Sequence, residues 1–348
     1  MTVSVHVTGT DGKTTTIACV GAALRTAGWH TLEVSTRGVQ FNGRRLEVSP
    51  SDWHPTATEV ALELRKLACL LPDSDKSAVL LEVTSYWLKI GVVDELPPSR
   101  VGVITSLGHD HLDIHGSLDR YHRLKAELLK RAESAVTGPG VWERLKTLAA
   151  AADIECDVVR VVRAPGPIAY TNAEIAACVA FMLGVAVEFN KPPLLAGRQE
   201  WFRRARSPDI IVDTAHTPEA VATALVDARR QQTTGKLIAV SGAGGGRDGS
   251  KRRLIGRMLA RHSDICIVTD DAPRFEEPEM IRQAVVSGCP NALCIEGRAQ
   301  AIDTALAVGQ PNDVIALLGL GDQEIFDGTR IHTDIDYLRS LGFTNNAI

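Results

Sequence analysis

The stretch Val7-Thr8-Gly9-Thr10-Asp11-Gly12-Lys13-Thr14-Thr15-Thr16 decides the fold of this 348-residue chain. A β-branched run over Val3–Thr8 predicts a strand, two glycines predict a tight turn, and Thr14–Leu24 predicts a helix. This arrangement binds a polyphosphate, because backbone N–H groups and the positive end of the helix face the anion. Lys13 would reach the terminal phosphates, and a threonine hydroxyl would hold Mg²⁺.

The loop is shorter than the common P-loop pattern. That pattern has a glycine six residues before the lysine, and Val7 occupies the corresponding position here. The nearest preceding glycine is Gly9. A surface turn that merely contains Gly-Lys-Thr is the alternative, and it is disfavoured because strand, turn and helix all lie where phosphate binding needs them.

The composition is typical of a soluble globular protein, with 23% charged and 45% apolar residues. The net charge of −4 and the lack of a basic stripe argue against a nucleic-acid partner, since the basic run at 203–206 is too short. No apolar run reaches the length of a membrane span, and the N-terminus reads as a strand, not a signal peptide. Seven scattered cysteines without a C-x-x-C pair are expected to be reduced thiols. We therefore expect a cytoplasmic protein without a membrane partner.

Apolar, β-rich runs alternate with helical patterns along the whole chain, which predicts an α/β fold with parallel sheets. The predicted strands are Val3–Thr8, Ala78–Val83, Val101–Thr105, Ile210–Asp213, Lys236–Ser241, Ile265–Thr269, Ala292–Ile295 and Asp313–Leu318. The predicted helices between them include Thr58–Leu71, Leu118–Glu133, Ala173–Leu183 and Pro218–Gln231.

The composition changes near Asn-Lys-Pro-Pro at 190–193, and a polar, arginine-rich stretch follows it. A new strand–helix series starts at Ile210. We therefore predict two domains. The first, at 1–195, would be a mostly parallel P-loop ATPase domain, and the second, at 196–348, a smaller Rossmann-like α/β domain.

Two polar clusters follow predicted strands. Glu82 ends one strand, and a carboxylate beside a phosphate loop is a natural Mg²⁺ ligand, although a lone glutamate at a strand end more often faces solvent. Three histidines and two aspartates lie within 109–115 after another strand. Zinc or structural capping could use such groups, but a Mg²⁺ site with one imidazole ligand is the more economical interpretation beside a phosphate loop. Lys125 follows on the next helix, where a lysine is usually solvated.

Together these motifs resemble the Mur ligase family, and the MurE type in particular, which adds the third amino acid of the peptidoglycan stem. The resemblance covers nearly the whole chain and rests on motifs that occur in the family's order. These motifs are Gly-Thr-Asp-Gly-Lys-Thr-Thr-Thr (9–16), Glu-Val-Thr-Ser (82–85), Asp-His-Leu-Asp-Ile-His-Gly (110–116), Tyr121, Lys125, Thr-Asn-Ala (171–173), Gly-Arg-Gln-Glu (197–200), Asp-Thr-Ala-His-Thr-Pro (213–218), residues 242–253, Asp-Asp-Ala-Pro-Arg (270–274) and Gly-Leu-Gly-Asp (319–322).

The resemblance implies an ADP-forming ligase in which ATP phosphorylates a carboxylate and an amine attacks the acyl phosphate. It implies one Mg²⁺ on Thr14 and Glu82 and a second on His111 and on Lys125, if that lysine is carbamylated. Lys13, His111 and Lys125 are the catalytic residues that it implies. The implied nucleotide-binding residues are Gly9, Thr10, Asp11, Gly12, Lys13, Thr14, Thr15, Asn172, Arg198 and Asp213, of which the last three would hold adenine, phosphate and ribose.

The sequence departs from the family where the acceptor binds. The phosphate loop starts at residue 9, so we expect the N-terminal domain that binds the UDP part of the acceptor to be absent. MurE-type enzymes follow the metal glutamate with Ser-Ser-His and an arginine six residues past that histidine, whereas this chain has Thr84, Ser85, Tyr86 and Val92. We expect Thr84 and Ser85 to contact the acceptor, which would differ from the usual UDP-MurNAc-peptide.

The residues that would read the incoming amine also differ. Arg274 remains from the Asp-Asn-Pro-Arg motif, but Ala272 replaces the asparagine, and Gly-Lys-Gly-His-Glu has become Gly-Leu-Gly-Asp-Gln-Glu at 319–324. We expect an amine substrate that bears a carboxylate but differs at its far end from diaminopimelate or lysine. The remaining predicted substrate contacts are His216, Asp271 and Glu324. For Arg274 the alternative is a helix-capping or surface arginine.

The leading hypothesis is an ATP- and Mg²⁺-dependent amide ligase that joins a small-molecule carboxylate to an amino acid or amine, in specialised metabolism. The carboxylate could instead be carried by a carrier protein or a second subunit. One alternative is a P-loop kinase or plain NTPase. Another is a Mur-like binding subunit without activity, which the presence of Lys13, Thr14, Glu82, His111 and Lys125 argues against.

Overall fold

A computed structural model describes residues 2–48, 56–231, 234–326 and 331–345. The chain divides into two compact units. The first contains the residues up to Leu107 together with His115–Pro193, and the second contains Gly108–Ile114 and the chain from Leu194 onward. Each unit consists of a mostly parallel sheet with helices, so the predicted α/β class is confirmed.

The first unit contains an eight-stranded sheet within the described residues. Its strands are β1 (Val3–Thr8), β2 (His30–Ser35), β3 (Gly38–Phe41), β4 (Arg44–Arg45), β5 (Ser77–Glu82), β6 (Ser99–Ile104), β7 (Ala132–Thr137) and β8 (Asp157–Arg160). Their order is β4-β3-β2-β5-β1-β6-β7-β8. The six strands from β2 to β8 in this order are parallel. Beyond β2, strand β3 pairs antiparallel with β2, and β4 pairs antiparallel with β3. The central strand β1 therefore ends between β5 and β6.

The helices of the first part of the chain are α1 (Lys13–Thr26), α2 (Ala57–Ala68), α3 (Ser85–Lys89), α4 (Leu112–His115), α5 (Leu118–Lys130), α6 (Val141–Thr147) and α7 (Ile168–Met182). Side-chain caps explain where two of them begin. The Thr56 hydroxyl accepts from the N–H of Glu59 at the start of α2, and the Ser117 hydroxyl accepts from the N–H of Arg120 at the start of α5.

The apolar runs of the central strands are buried on both faces. Leu80 of β5 packs in one core cluster with residues of α1 and α7, whereas its neighbour Leu81 packs in another with residues of α2, α3 and α5. Both leucines are at most 1% exposed. Because side chains alternate across a strand, a continuous apolar run is what a sheet covered on both faces requires.

In the part of the chain that the structure describes, the second unit contains a seven-stranded sheet and a separate two-stranded hairpin. Its strands are β9 (Glu200–Arg203), β10 (Asp209–Asp213), β11 (Leu237–Ser241), β12 (Ile265–Val268), β13 (Leu293–Cys294), β14 (Val314–Leu318), β15 (Ile325–Phe326), β16 (Ile331–His332) and β17 (Thr344–Asn345). Its helices are α8 (Pro218–Gln231), α9 (Arg252–His262), α10 (Pro278–Val286), α11 (Arg298–Val308) and α12 (Asp334–Ser340). The order of the seven-stranded sheet is β13-β12-β11-β14-β10-β9-β17. The strands from β13 to β10 are parallel, β9 pairs antiparallel with β10, and β17 pairs antiparallel with β9.

All eight predicted strands are present, within one or two residues at their ends. The helix predicted to continue to Glu133 ends at Lys130, because β7 starts at Ala132. The helix predicted to start at Ala173 instead starts at Ile168, directly after Pro167. Within the described ranges, every helix is too short or too polar to cross a lipid bilayer.

Arg298 and Asp334 form a buried ion pair in the second unit. Nε and Nη2 of Arg298 donate to the two carboxylate oxygens over 3.0 and 2.7 Å, and Nη2 also donates to the Leu318 carbonyl at the end of β14. The two side chains are 2% and 0% exposed. This pair therefore ties the start of α11 to α12 and to the end of a central strand.

Replacing Arg298 with Met is expected to lower the free energy of unfolding by about 3–5 kcal/mol, because Asp334 would remain buried without its charged partner. Arg100→Met is the control, since the Arg100–Glu133 pair is half exposed and should contribute less than about 1 kcal/mol. Urea denaturation of both variants measures the difference. Equal losses in the two variants would contradict a structural role for the buried pair.

Candidate functional site

The predicted phosphate loop leads from β1 into α1, and it has no room for side chains at its two glycines. A Cβ atom on Gly9 would lie 2.0 Å from Oγ1 of Thr105, and one on Gly12 would lie 2.6 Å from Oδ1 of Asn172. Gly12 also has a φ of 87°, in the left-handed region that glycine adopts without strain. These two positions therefore require glycine.

The residues that follow β6 hold this loop in place. Thr10 donates its N–H to the Ser106 carbonyl over 3.0 Å, and the Asp11 N–H donates to the Ser106 hydroxyl over 2.8 Å. The Thr105 hydroxyl donates to the Asp11 carbonyl over 2.6 Å. The loop is therefore fixed by the neighbouring strand end, as a preformed anion site requires.

The N-terminus of helix α1 has backbone N–H groups that can bind an anion. Gly12 is its N-cap residue, and no side chain caps the helix there. The first N–H that bonds back along the chain is that of Thr16, to the Gly12 carbonyl. The N–H groups of residues 13–15 therefore have no partner within the helix. The positive end of the helix dipole lies at this same N-terminus. Phosphate oxygens are the ligands that such a helix start binds.

Lys13 lies over its own loop. Its Nζ donates to the carbonyls of Gly9 and Thr10 over 3.1 and 2.8 Å. The same Nζ lies 4.0 Å from Oε1 of Glu82. The ammonium group is thus placed between the loop and the carboxylate at the end of β5.

Glu82 is buried, so the solvent-facing alternative for this residue is wrong. It is 3% exposed, and its Oε2 accepts a hydrogen bond of 2.9 Å from the Thr14 hydroxyl. A hydroxyl and a carboxylate in contact beside a phosphate loop are the donor set that Mg²⁺ takes together with phosphate oxygens and water. The residues present therefore fit a Mg²⁺–polyphosphate group.

Lys125 of α5 is also buried at this loop, so it is not the solvated lysine that its helix position alone would favour. It is 1% exposed, and its Nζ donates to the Gly9 carbonyl over 2.9 Å. The ammonium also lies 4.4 Å from the centre of the Tyr121 ring. Its proposed carbamylation and metal binding remain predictions.

The predicted acceptor contacts directly follow Glu82. The Thr84 hydroxyl caps α3 by accepting from the Trp87 N–H over 3.2 Å. Ser85 is 6% exposed, and Tyr86 is half exposed. Val92 has no exposed surface, so it is part of the core of the first unit.

The histidine loop Gly108–Ile114 belongs to the second unit, whereas Thr14, Glu82 and Lys125 belong to the first. The four predicted Mg²⁺ ligands are thus divided between the two units. His111 has a φ of 57°, and its Nε2 lies 3.5 Å from Oδ2 of Asp110. Within the described residues, no three His, Cys, Asp or Glu side chains are grouped to hold a metal ion, which gives no support to a zinc site.

Asp110 anchors this loop to the rest of the second unit. It accepts from Nζ of Lys251 over 2.6 Å and from the N–H of His111 over 2.9 Å, and Nε2 of His216 lies 3.7 Å away. Burial opposes the ionisation of Asp110. However, the hydrogen bond from His216 and the charge of Lys251, with those of His111 and His216, hold its pKa well below the usual range.

Further bonds hold the loop on both sides of Asp110. The Leu112 N–H donates to Asp248 over 3.1 Å, and the His109 N–H donates to Glu219 over 3.2 Å. Nε2 of His109 lies 2.9 Å from the Ser250 hydroxyl. Lys251 and Asp248 were not among the predicted site residues. They lie in the stretch 242–253, which is part of the resemblance to the Mur ligase family. This stretch contains several charged residues, and their spacing alone does not show which of them belong to a site.

The predicted adenine, phosphate and ribose residues also lie in both units. Asn172 of α7 is 7% exposed and lies against Gly12 in the first unit. In the second unit the Asp213 carboxylate accepts from the N–H groups of Gln199 and Ala215 over 2.9 and 2.8 Å. Nε of Arg198 is buried and has no hydrogen-bond partner within the described ranges. A buried guanidinium N–H without a partner suits an anion such as phosphate.

The predicted amine-binding residues follow the carboxyl ends of β10, β12 and β14. Nη1 of Arg274 donates to the Gly245 carbonyl over 2.5 Å, and Oδ1 of Asp271 accepts from the Ala272 N–H over 2.6 Å. A Cβ on Gly319 would lie 2.6 Å from Oδ2 of Asp271, so these two segments are in contact. Glu324 is exposed, and Nδ1 of His216 donates to the Thr214 carbonyl over 2.7 Å.

Two domain families match this chain. The Mur ligase middle domain matches residues 7–141, and the Mur ligase, glutamate ligase domain matches residues 197–321. The UDP-N-acetylmuramoyl-L-alanyl-D-glutamate-2,6-diaminopimelate ligase of Clostridium botulinum is 30% identical, in an alignment that covers 95% of this chain and 75% of that protein. The protein of the same name from Corynebacterium glutamicum is also 30% identical, with coverages of 95% and 73%.

Solved structures share this fold. The bifunctional folylpolyglutamate synthase/dihydrofolate synthase of Yersinia pestis superimposes with a TM-score of 0.71 at 21% identity, covering 91% of this chain and 86% of that one. A UDP-N-acetylmuramoyl-L-alanyl-D-glutamate-2,6-diaminopimelate ligase gives a TM-score of 0.58 at 22% identity, with coverages of 97% and 77%. At these identities the likeness concerns the fold alone.

Asp110→Asn is expected to lower the free energy of unfolding by about 3 kcal/mol near pH 7, because Lys251 would stay buried without its charged partner. A carboxyl with a lowered folded-state pKa stabilises the fold above its unfolded pKa, near 4, and loses this contribution as the pH falls toward the folded value. The deficit should therefore shrink between about pH 5 and about pH 3.

Urea denaturation at about pH 7 and about pH 3 measures this change. Asp113→Asn is the matched control, since Asp113 is an exposed aspartate in the same motif and should change stability by less than about 0.5 kcal/mol. A deficit for Asp110→Asn that is the same at both pH values would contradict the assigned ion pair.

Proposed function

The chain belongs to the Mur ligase family of ATP-dependent amide ligases, and on that premise we propose that it joins a small-molecule carboxylate to an amino acid. The family membership confirms the resemblance seen in the sequence. ATP and Mg²⁺ are the cofactors typical of this family. The proposed carboxylate is a compound other than the usual UDP-MurNAc-peptide, and the proposed amine is an amino acid other than diaminopimelate.

The contact between Thr14 and Glu82 beside Lys13 is the observation that carries this proposal. A hydroxyl and a buried carboxylate that bond over 2.9 Å would hold Mg²⁺ against the phosphates, and the Lys13 ammonium lies within 4.0 Å of the same carboxylate. Phosphoryl transfer depends almost entirely on such positioning and charge neutralisation.

The chemistry explains why a ligase needs this arrangement. A carboxylate is a poor acyl donor, because its leaving group would be oxide, and ATP supplies the phosphoryl group that makes a good one. The N–H groups at the start of α1 and Lys13 would neutralise the charge on the phosphates, with Thr14 and Glu82 as Mg²⁺ ligands. In this proposal His111 and carbamylated Lys125 would hold a second Mg²⁺, and Asn172, Arg198 and Asp213 would hold the nucleotide.

The acceptor proposal rests on the residues after Glu82. The position that carries an arginine in MurE-type enzymes is Val92, whose side chain is fully buried and cannot bind an anionic acceptor. Thr84 uses its hydroxyl as a helix cap, and Tyr86 stands where those enzymes have a histidine. These differences favour a smaller or less anionic carboxylate, bound in part by Ser85.

The amine proposal rests on Arg274. Its guanidinium would pair with the carboxylate of an amino acid, with Asp271, His216 and Glu324 as further contacts. Leu320 replaces the lysine of the family motif and is 1% exposed, so it offers no charge to the far end of the amine. An amino acid whose side chain carries no charged group at its end is therefore the favoured substrate class.

Purified protein should release ADP and phosphate only when a suitable carboxylate and an amino acid are both present. Lys13→Met is expected to reduce this rate by about a hundredfold or more, in the range seen when one transition-state donor is removed. Lys76→Met is the control, because Lys76 is exposed on the surface of the first unit. A screen of carboxylate and amino-acid pairs, with separation of the nucleotides, measures both effects.

Other products would identify a different function. Release of AMP would exclude an acyl phosphate, and a stable phosphorylated product formed without an amine would indicate a kinase. ATP hydrolysis without either substrate would indicate a plain NTPase. A product formed only on a carrier protein would place the carboxylate on a partner, and nucleotide binding without turnover in any pair would indicate a binding subunit.

Arg274→Ala should raise the KM for the amino acid by about tenfold to a hundredfold, because a hydrogen-bonded charge pair contributes about 1.5–3 kcal/mol. The kcat should change less, and an amine that lacks the carboxylate should be used equally by both proteins. Arg257→Ala is the control, since Arg257 is exposed on α9. Initial rates of phosphate release against amine concentration give these values. An unchanged KM would remove Arg274 from the amine site.

A further inference from the structure

The hairpin turn between β2 and β3 lies beside the carboxylate of Glu82. Ser35 pairs with Gly38 across the hairpin, so Thr36 and Arg37 are the two turn residues. Strand β2 runs parallel to β5 with Val34 opposite Leu81. The turn after β2 and Glu82 at the end of β5 therefore meet at the same edge of the sheet.

Thr36 makes a set of hydrogen bonds to the Glu82 carboxylate. Its N–H donates to Oε2 over 3.4 Å, and its hydroxyl lies 3.4 Å from Oε1 and 3.5 Å from Oε2. The Thr14 hydroxyl donates to the same Oε2 over 2.9 Å. Glu82 is thus held between the phosphate loop and the hairpin turn.

The turn is itself fixed independently of Glu82. The Arg37 N–H donates to the Ser35 hydroxyl over 3.2 Å, and this hydroxyl donates to the Gly38 carbonyl over 3.5 Å. Thr36 is exposed, whereas Glu82 is 3% exposed. Thr36 therefore contacts the buried carboxylate from an exposed turn.

We propose that Thr36 is a positioning residue that orients Glu82 for Mg²⁺ and so sets the metal affinity of the nucleotide site. This inference rests on the proposed function, since it assumes that Glu82 binds the metal. Carboxylates that bind metals are themselves oriented by hydrogen bonds, and removal of such a partner weakens metal binding by about 10–100-fold. The long contacts of Thr36 place the expected effect at the lower end of that range.

The experiment compares Thr36→Val, which removes only the hydroxyl, with Thr36→Ser, which keeps it. The probe is Mn²⁺, titrated by electron paramagnetic resonance in the presence of a saturating non-hydrolysable ATP analogue. Thr26→Val is the matched control, because Thr26 is an exposed threonine whose hydroxyl bonds only within α1. All three substitutions lie on exposed positions of the first unit, so folding should be preserved.

Thr36→Val should weaken Mn²⁺ binding by about tenfold, and Thr36→Ser should restore it to within about threefold of the unchanged protein. Thr26→Val should bind Mn²⁺ as tightly as the unchanged protein. A change below about twofold in Thr36→Val, where about 10–100-fold is the usual effect, would overturn the role of Thr36 and leave the proposed function standing. If the unchanged protein binds no Mn²⁺ with the nucleotide analogue, the metal assignment of Glu82, and with it the proposed function, is overturned.

Discussion

The absence of Cβ atoms at Gly9 and Gly12 is the constraint on which the site depends. Side chains there would displace Thr105 and Asn172, which lie 2.0 and 2.6 Å from the added atoms. Because the loop can pack this closely, the Thr105–Ser106 segment bonds to its backbone and fixes it before any ligand binds. A preformed loop does not have to be ordered by the nucleotide, which leaves more of the binding energy for affinity.

The parallel sheet explains why residues distant in sequence meet at this loop. Strands β2, β5, β1 and β6 are parallel neighbours, so their carboxyl ends lie at one edge, where such sheets bind ligands. Thr36 follows β2, Glu82 ends β5, the glycine loop follows β1, and Thr105 follows β6. Burial of the strands on both faces makes this edge rigid, and the spacing between the contributing residues is then set by the spacing of strands.

Local sequence patterns predicted the elements better than they predicted contacts. The helix Pro218–Gln231 was predicted with its observed bounds, because its apolar spacing and its flanks are both clear. Nine of the seventeen strands in the described residues were not predicted. In β2, for example, the buried polar residues Thr31 and Glu33 interrupt the apolar pattern. The roles of Thr36 and Lys251 depend on tertiary contacts with Glu82 and Asp110, which no local pattern encodes.

The positive charges at the loop suit an anionic ligand. Lys13 and Lys125 both donate to the Gly9 carbonyl, and the Lys13 ammonium lies 4.0 Å from the Glu82 carboxylate. Lys125 is 1% exposed, and two ammonium groups that donate to one carbonyl repel each other in a buried environment. A polyphosphate with Mg²⁺ would place negative charge beside both ammonium groups. Carbamylation of Lys125 would instead convert one of these cations into an anion. The repulsion between the two lysines would therefore be relieved either by the bound nucleotide or by the carbamyl group.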